Sequence, residues 1–197
     1  MPDHRPTASD LEAAADGIGR HTSQIVIAPT LARQLAQPLE PGLYLVATPI
    51  GNLADITLRA LTTLSLADEI YCEDTRHSRT LISNYGITTR LSAYHEHNAA
   101  IERPRILAKL AAGSRVALIC DAGTPLISDP GFKLARSALD DGHKVISLPG
   151  PSAALGALTS SGLPSDCFLF AGFLPPRSGQ RRTRLSELAS TGDTHFL

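Results

Sequence analysis

From Gly42 onward, short apolar runs alternate with amphipathic stretches, most of them closed by a glycine. The apolar runs Leu43–Thr48 (LYLVAT), Glu69–Cys72, Leu91–Tyr94, Arg115–Cys120 and Lys144–Leu148 read as five strands. They show no clear apolar–polar alternation, the pattern of strands buried on both faces. Between them, Leu58, Leu61 and Leu64 recur at helical spacing, with Asp55 as the expected N-cap. Further helices are predicted from Ser78 towards Tyr85, up to Ala112, over Phe132–Asp141 and over Ala153–Ser160. Gly86, Gly113, Gly142 and Gly162 are placed to end them. Five strands alternating with five helices predict an α/β fold: a five-stranded, mostly parallel sheet with helices on both faces.

The flanks read differently. Residues 1–41 are rich in Ala, Pro, Asp and Gln and are expected to be a flexible N-terminal extension. The ordered α/β domain is expected over 42–164. Residues 165–197 are expected to begin a second, truncated α/β domain: a strand at Phe168–Phe173 (FLFAGF), a basic, proline-bearing loop over Leu174–Arg184, a short helix, and a strand-like THFL at the end.

Composition narrows the classes. With 197 residues there is room for one domain and part of another. A hydrophobic fraction of 43% excludes global disorder, and the absence of Trp leaves an aliphatic core. Net charge is -1, so any role with nucleic acid must rest on local patches. Cys72, Cys120 and Cys167 are far apart and form no C-x-x-C, so neither a zinc site nor a disulfide framework is suggested, and buried reduced thiols are expected. No stretch is apolar enough to span a membrane and the N-terminus shows no signal core, so a cytoplasmic location is expected.

In a parallel α/β sheet, ligands bind beyond the carboxyl ends of the strands. The unusual sequence lies there: TPIGN (Thr48–Asn52), EDTRHSR (Glu73–Arg79), HEHN (His95–Asn98), DAGTPLISDPG (Asp121–Gly131) and PGPSA (Pro149–Ala153). The opposite strand ends read as bland. Dinucleotide, P-loop and nucleophile-elbow glycine motifs are absent. The glycines of DAGTPLISDPG allow close backbone approach, and its prolines hold the loop open. With Asp121 and Thr124 beside them, they suit a ligand bearing an amino acid end and a ribose. Glu73, Asp74, His95, Glu96 and His97 are candidate general bases. An H-x-H pair without a third ligand in view is a poor metal site, so no metal is expected.

From Gly42 onward, GLYLVATPIGNLADITLRAL, YCEDTRHSRTLI, SAYHEHN, CDAGTPLISDPG and LPGPSA resemble the tetrapyrrole-methylase superfamily. Within it they are most similar to the branch that methylates a cytidine ribose 2′-hydroxyl in 16S rRNA of the small ribosomal subunit. That resemblance implies S-adenosylmethionine as cofactor, contacted by Ile50, Gly51, Asp121, Ala122, Gly123, Thr124, Ile127, Ser152 and Ala153, with further contacts from a second domain. It also implies a homodimer at full length. For catalysis it leaves Asp74, Glu73, His95 and Glu96 open, with Asp74 preferred as base. RNA contacts are expected from Arg76, Arg79, Arg177, Arg181, Arg182 and Arg184, arginine forks being suited to phosphate. Two alternatives share the sequence: the same fold acting on a tetrapyrrole or a diphthamide precursor, and a non-catalytic binding module.

Overall fold

The computed structural model describes residues 27–127, 131–190 and 195–196. Residues 1–26 of the expected extension, residues 128–130 of the long loop, and Thr194 and Leu197 of the THFL run lie outside the described residues. The chain forms α1 (Ile27–Leu35), β1 (Gly42–Val46), a 3-10 turn (Leu53–Asp55), α2 (Leu58–Leu66), β2 (Glu69–Cys72) and α3 (Thr75–Asn84). There follow β3 (Leu91–Ala93), α4 (Ala99–Ala111), β4 (Arg115–Leu118), α5 (Phe132–Asp140), β5 (Val145–Leu148), α6 (Ala153–Ser160), β6 (Phe168–Leu169), α7 (Ser178–Ala189) and β7 (His195–Phe196).

The main sheet has the order β3-β2-β4-β1-β5, with every pairing parallel. β1 is central: Leu43 lies opposite Val116 of β4 on one side and Val145 of β5 on the other. All residues of β1 and β2 are buried, as the unbroken apolar runs require. Side-chain alternation splits the core into two layers. Tyr44, Val46, Ile70 and Cys72 face Leu64 of α2 and Leu81 and Ile82 of α3. Leu43, Leu45 and Tyr71 face Ile106 and Leu110 of α4 and Leu134 and Ala138 of α5. The fold is therefore a three-layer α/β sandwich. Leu134 is fully buried in the second layer, so Leu134→Ala should lower unfolding free energy by about 2–5 kcal/mol, read from the denaturation midpoint.

Several expectations change at the element ends. Asp55 is not the N-cap of α2: it sits in the 3-10 turn, whose cap is Asn52, accepting the Ala54 N–H at 3.1 Å. Thr57 is the last extended residue before α2 and caps it, its hydroxyl accepting the Ala60 N–H at 3.0 Å. α3 begins at Thr75 rather than Ser78, because the Asp74 carboxylate accepts the Arg76 N–H, one of the free donors of its first turn. The FLFAGF strand is two residues long, and the basic loop becomes helical at Ser178. β6 and β7 pair in parallel as a separate ribbon. Cys72 and Cys120 are buried, but Cys167 is exposed, contrary to the expectation of three buried thiols. α1 packs against α2.

The strand ends opposite the rim are not bland. Glu69, at the start of β2, is buried, and it accepts hydrogen bonds from Ser92 at 2.5 Å, from Tyr71 at 3.2 Å and from the Lys109 ammonium, with the Arg90 guanidinium 3.5 Å away. Beside it, Arg115 and Asp68 form an ion pair at 2.5 Å.

Candidate functional site

The loops after β1 and β4 are joined backbone to backbone. Thr48 N–H donates to Gly123 C=O at 2.8 Å, and Gly123 N–H donates back to Thr48 C=O at 3.0 Å. The buried Thr48 hydroxyl donates to Cys120 C=O at 3.1 Å. The loop after β5 closes on both: the Thr124 hydroxyl donates to Pro151 C=O at 3.1 Å. A side chain on Gly150 would place its Cβ 2.7 Å from that of Ala47, so only glycine lets this loop lie against the end of β1.

Gly123 has φ +84, a left-handed conformation costly for any residue with a Cβ. Its open face looks towards Ile50 Cγ2 and the Pro151 carbonyl, 3.5 and 3.8 Å from where a Cβ would stand. Gly123→Ala should therefore cost about 1–2 kcal/mol through φ strain alone, measurable by chemical denaturation. Of the residues expected to hold a cofactor, Ile50, Gly123 and Thr124 are thus gathered around the Pro151 carbonyl, and Ser152 follows it as the N-cap of α6, accepting the Leu155 N–H. Ile50 and Ile127 leave apolar surface exposed on this side.

Two cavities flank this junction. One, of about 440 Å³, lies between the TPIGN loop and α3 and is lined by Thr48 to Leu53, His77, Ser78, Thr80, Leu81 and Cys120 to Ala122. Its wall is fixed from outside, since the Tyr85 hydroxyl donates to Leu53 C=O at 2.6 Å. The second, of about 500 Å³, is polar and is lined by Glu73, Asp74, Thr75, Arg76, Ala93, His95, His97 and Asp121. Asp121 borders both.

Within the polar cavity, Asp74 is fully engaged. It caps α3 through the Arg76 N–H at 2.8 Å and takes the Arg76 guanidinium in a two-pronged pair at 2.8 and 3.2 Å. The Arg76 hydrogen bonds hold its carboxyl far below the usual carboxylate range. Asp121 accepts one weak hydrogen bond, from the Asp74 N–H at 3.4 Å. His95 and His97 stand edge to face with ring centres 5.9 Å apart, and His95 Nδ1 is buried without a hydrogen-bond partner. Glu96 is exposed and is not among the cavity's lining residues. Among the described residues no group of three or more His, Cys, Asp or Glu could hold a metal.

Arg76 borders the polar cavity, while Arg79 is exposed on α3. Arg177, Arg181, Arg182 and Arg184 lie on or at the start of α7, where Arg184 pairs with Glu187 at 3.1 Å. Sequence reasoning missed Ser78, which lines the apolar cavity; being buried under a helix start, it carried no local signal. No described helix is long and apolar enough to cross a membrane.

Comparison with known proteins supplies a relation. The chain is 64% identical over 159 residues to a ribosomal RNA small subunit methyltransferase I of Mesorhizobium japonicum, covering 81% of this chain and 54% of that protein. It is 50% identical over 155 residues to the protein of that name from Escherichia coli O157:H7, covering 79% of this chain and 54% of that one. The chain thus spans about half the length of the curated relatives it matches. In fold it is similar to a uroporphyrin-III-C-methyltransferase of Thermus thermophilus, with TM-score 0.54 and 23% identity, covering 75% of this chain and 74% of that one. A diphthine synthase structure is similar in the same way, with TM-score 0.53 and 19% identity over 65% of this chain and 51% of that one. The family model described as Tetrapyrrole (Corrin/Porphyrin) Methylases matches residues 42–197, and with its parallel sheet and glycine-built rim the chain belongs to that family.

Proposed function

We propose that this chain is the cofactor-binding part of an enzyme that methylates a cytidine ribose 2′-hydroxyl in 16S rRNA, using S-adenosylmethionine, in the cytoplasm and as a homodimer at full length. The observation that carries the reading is the 64% identity over 159 residues to a ribosomal RNA small subunit methyltransferase I. The junction fits the cofactor: a Cβ-free backbone at Gly123 opens towards Ile50 and Pro151, with Thr124 and the Ser152 cap beside it. Ile50, Gly51, Ala122, Gly123, Thr124, Ile127, Ser152 and Ala153 would hold it, and its sulfonium would supply an activated methyl group.

The chain's own residues do the rest. In an in-line displacement the acceptor oxygen must be aligned and relieved of a proton. Asp121 borders both cavities and has acceptor capacity left, so we assign proton acceptance to it. Asp74 is committed to Arg76, and the pair forms a fixed unit that presents the guanidinium to an RNA phosphate or sugar. His95, His97 and Glu73 line the same cavity as polar neighbours of the ribose. Arg79, Arg177, Arg181, Arg182 and Arg184 would add salt-dependent phosphate contacts.

The test is transfer of labelled methyl groups from S-adenosylmethionine to small ribosomal subunits lacking the modification, by this sequence continued with the C-terminal half of the Mesorhizobium relative. Label on a cytidine ribose is expected. A folded protein that leaves the subunits unlabelled would move the assignment to tetrapyrrole or protein substrates.

A further inference from the structure

A third cavity, of about 530 Å³, lies away from the cofactor loops, between the edge strand β3 and α4. Asn98, Glu102, Arg105 and Lys109 line it from α4 and its cap at helical spacing, and Arg90 and Ser92 line it from the β3 side. Its charges are layered. The carboxylate side chains of Glu69 and Glu102 are 8% and 21% exposed, while those of their partners Arg90, Arg105 and Lys109 are 79%, 66% and 40% exposed. The acids hold the cations from beneath, and the face that meets solvent is basic. Donors are left over as well. Arg105 gives Nη1 to Glu102, and Arg90 approaches Glu69 through Nε at 3.5 Å. A guanidinium has further N–H groups to offer a ligand.

We infer that this groove carries the RNA strand flanking the acceptor nucleotide, with Arg90, Arg105 and Lys109 contacting its phosphates. The inference rests on the function proposed above and adds a contact surface to it. Continuity carries it. Ala93, at the end of β3, lines both this groove and the polar cavity that holds Arg76 and Asp121. A strand with its acceptor ribose in that cavity therefore runs on over Ala93 into the groove. From Asn98 to Lys109 the groove follows about 16 Å of helix, room for more than one phosphate. Arginine forks and a lysine ammonium suit phosphate oxygens. An extended peptide added to β3 is the competing occupant. Against it, β3 is three residues long, and the Asn98 side chain already donates to the Ala93 carbonyl at 2.9 Å.

The test is binding of a short single-stranded oligocytidylate to this chain as salt is varied, for wild type, Arg90→Gln, Arg105→Gln and Arg136→Gln. Arg136 is the control: it is as exposed as Arg105 and pairs with Asp140 within α5, but it does not line the groove. Exposed pairs of this kind add little to stability, and Glu69 keeps Lys109 and Ser92 when Arg90 is replaced, so the variants stay folded. Arg90→Gln and Arg105→Gln should each weaken binding and flatten the slope of log K against log salt by about 0.7, one phosphate contact on a single strand. Arg136→Gln should change neither. An oligocytidylate that does not bind, slopes untouched at Arg90 and Arg105, or an equal change with Arg136→Gln would overturn the inference. So would polyglutamate binding with the same dependence on Arg105, which would give the groove to an acidic protein. The methylation assay separates this inference from the reading beneath it. Cytidine methylation by an enzyme whose RNA affinity ignores Arg90 and Arg105 sinks the groove alone. Slopes that flatten as expected while no ribose is methylated sink the proposed reaction and keep the groove.

Discussion

Asp121→Asn should slow ribose methylation by about 10²–10⁴-fold, while S-adenosylhomocysteine affinity stays within a few fold. Asparagine keeps an oxygen to accept the Asp74 N–H, so the loop after β4 stays in place and the lost function is proton acceptance. Single-turnover rates on small subunits, measured with the chain continued by its relative's second half, separate this from binding. Asp74→Asn is the control. Asparagine caps helices as well as aspartate does, so that variant keeps α3 and loses only the ionic pairing to Arg76. Its expected effect is on the concentration of RNA needed. The reverse result, with Asp74→Asn collapsing the rate and Asp121→Asn near wild type, would give the base role to Asp74.

The largest stability effect outside the apolar core is expected at Glu69. Glu69→Ala should destabilise the fold by about 3 kcal/mol, the low end for breaking a buried ion pair, because Lys109 keeps partial access to water. It also removes the acceptor on which the hydroxyls of buried Tyr71 and half-buried Ser92 converge. Burial pushes the Glu69 carboxyl up, but hydrogen bonds from Lys109 and Ser92 outweigh it and leave it below its ordinary value of 4.5. A carboxyl lowered by folding adds stability that is fully present above its unfolded value and fades as pH falls through the folded one. Thermal melts between pH 6 and pH 3 should therefore show wild type losing stability below about pH 4.5, and Glu69→Gln losing less. Asp68, lowered by its hydrogen bonds with Arg115, retains its part of the slope in both.

How far the sequence already displayed this molecule depends on the scale of the feature. β1, β2 and β4 could be read because burial on both faces leaves runs such as LYLVA with no polar interruption. The loops of the rim were legible too, because Gly, Pro and polar residues concentrate directly after the strands. What was not legible depends on partners far along the chain. Asp74 reads as a free acid in EDTRHSR, and only the start of α3 turns it into a cap locked to Arg76. Glu69 opens a strand that reads as buried, and nothing near it in the sequence shows the Lys109 that closes over it from α4. Ser78 is one of the ten positions of α3, and only the packed structure shows that it is buried against the cavity wall. Asp55 lost the cap of α2 to Thr57 because the TPIGN loop spends a 3-10 turn first.

The central place of β1 bears on how the chain reaches this fold. β1 is made first, yet its neighbours β4 and β5 lie about 70 and 100 residues further along. During synthesis its fully apolar backbone must therefore emerge and wait, both edges unpaired, until most of the domain has left the ribosome. Such a strand is prone to pairing with the wrong chain. Folding should accordingly be slow for the domain's size and sensitive to concentration, and it should benefit from a chaperone that shields the segment around Leu43–Val46 until residues 115–148 are available.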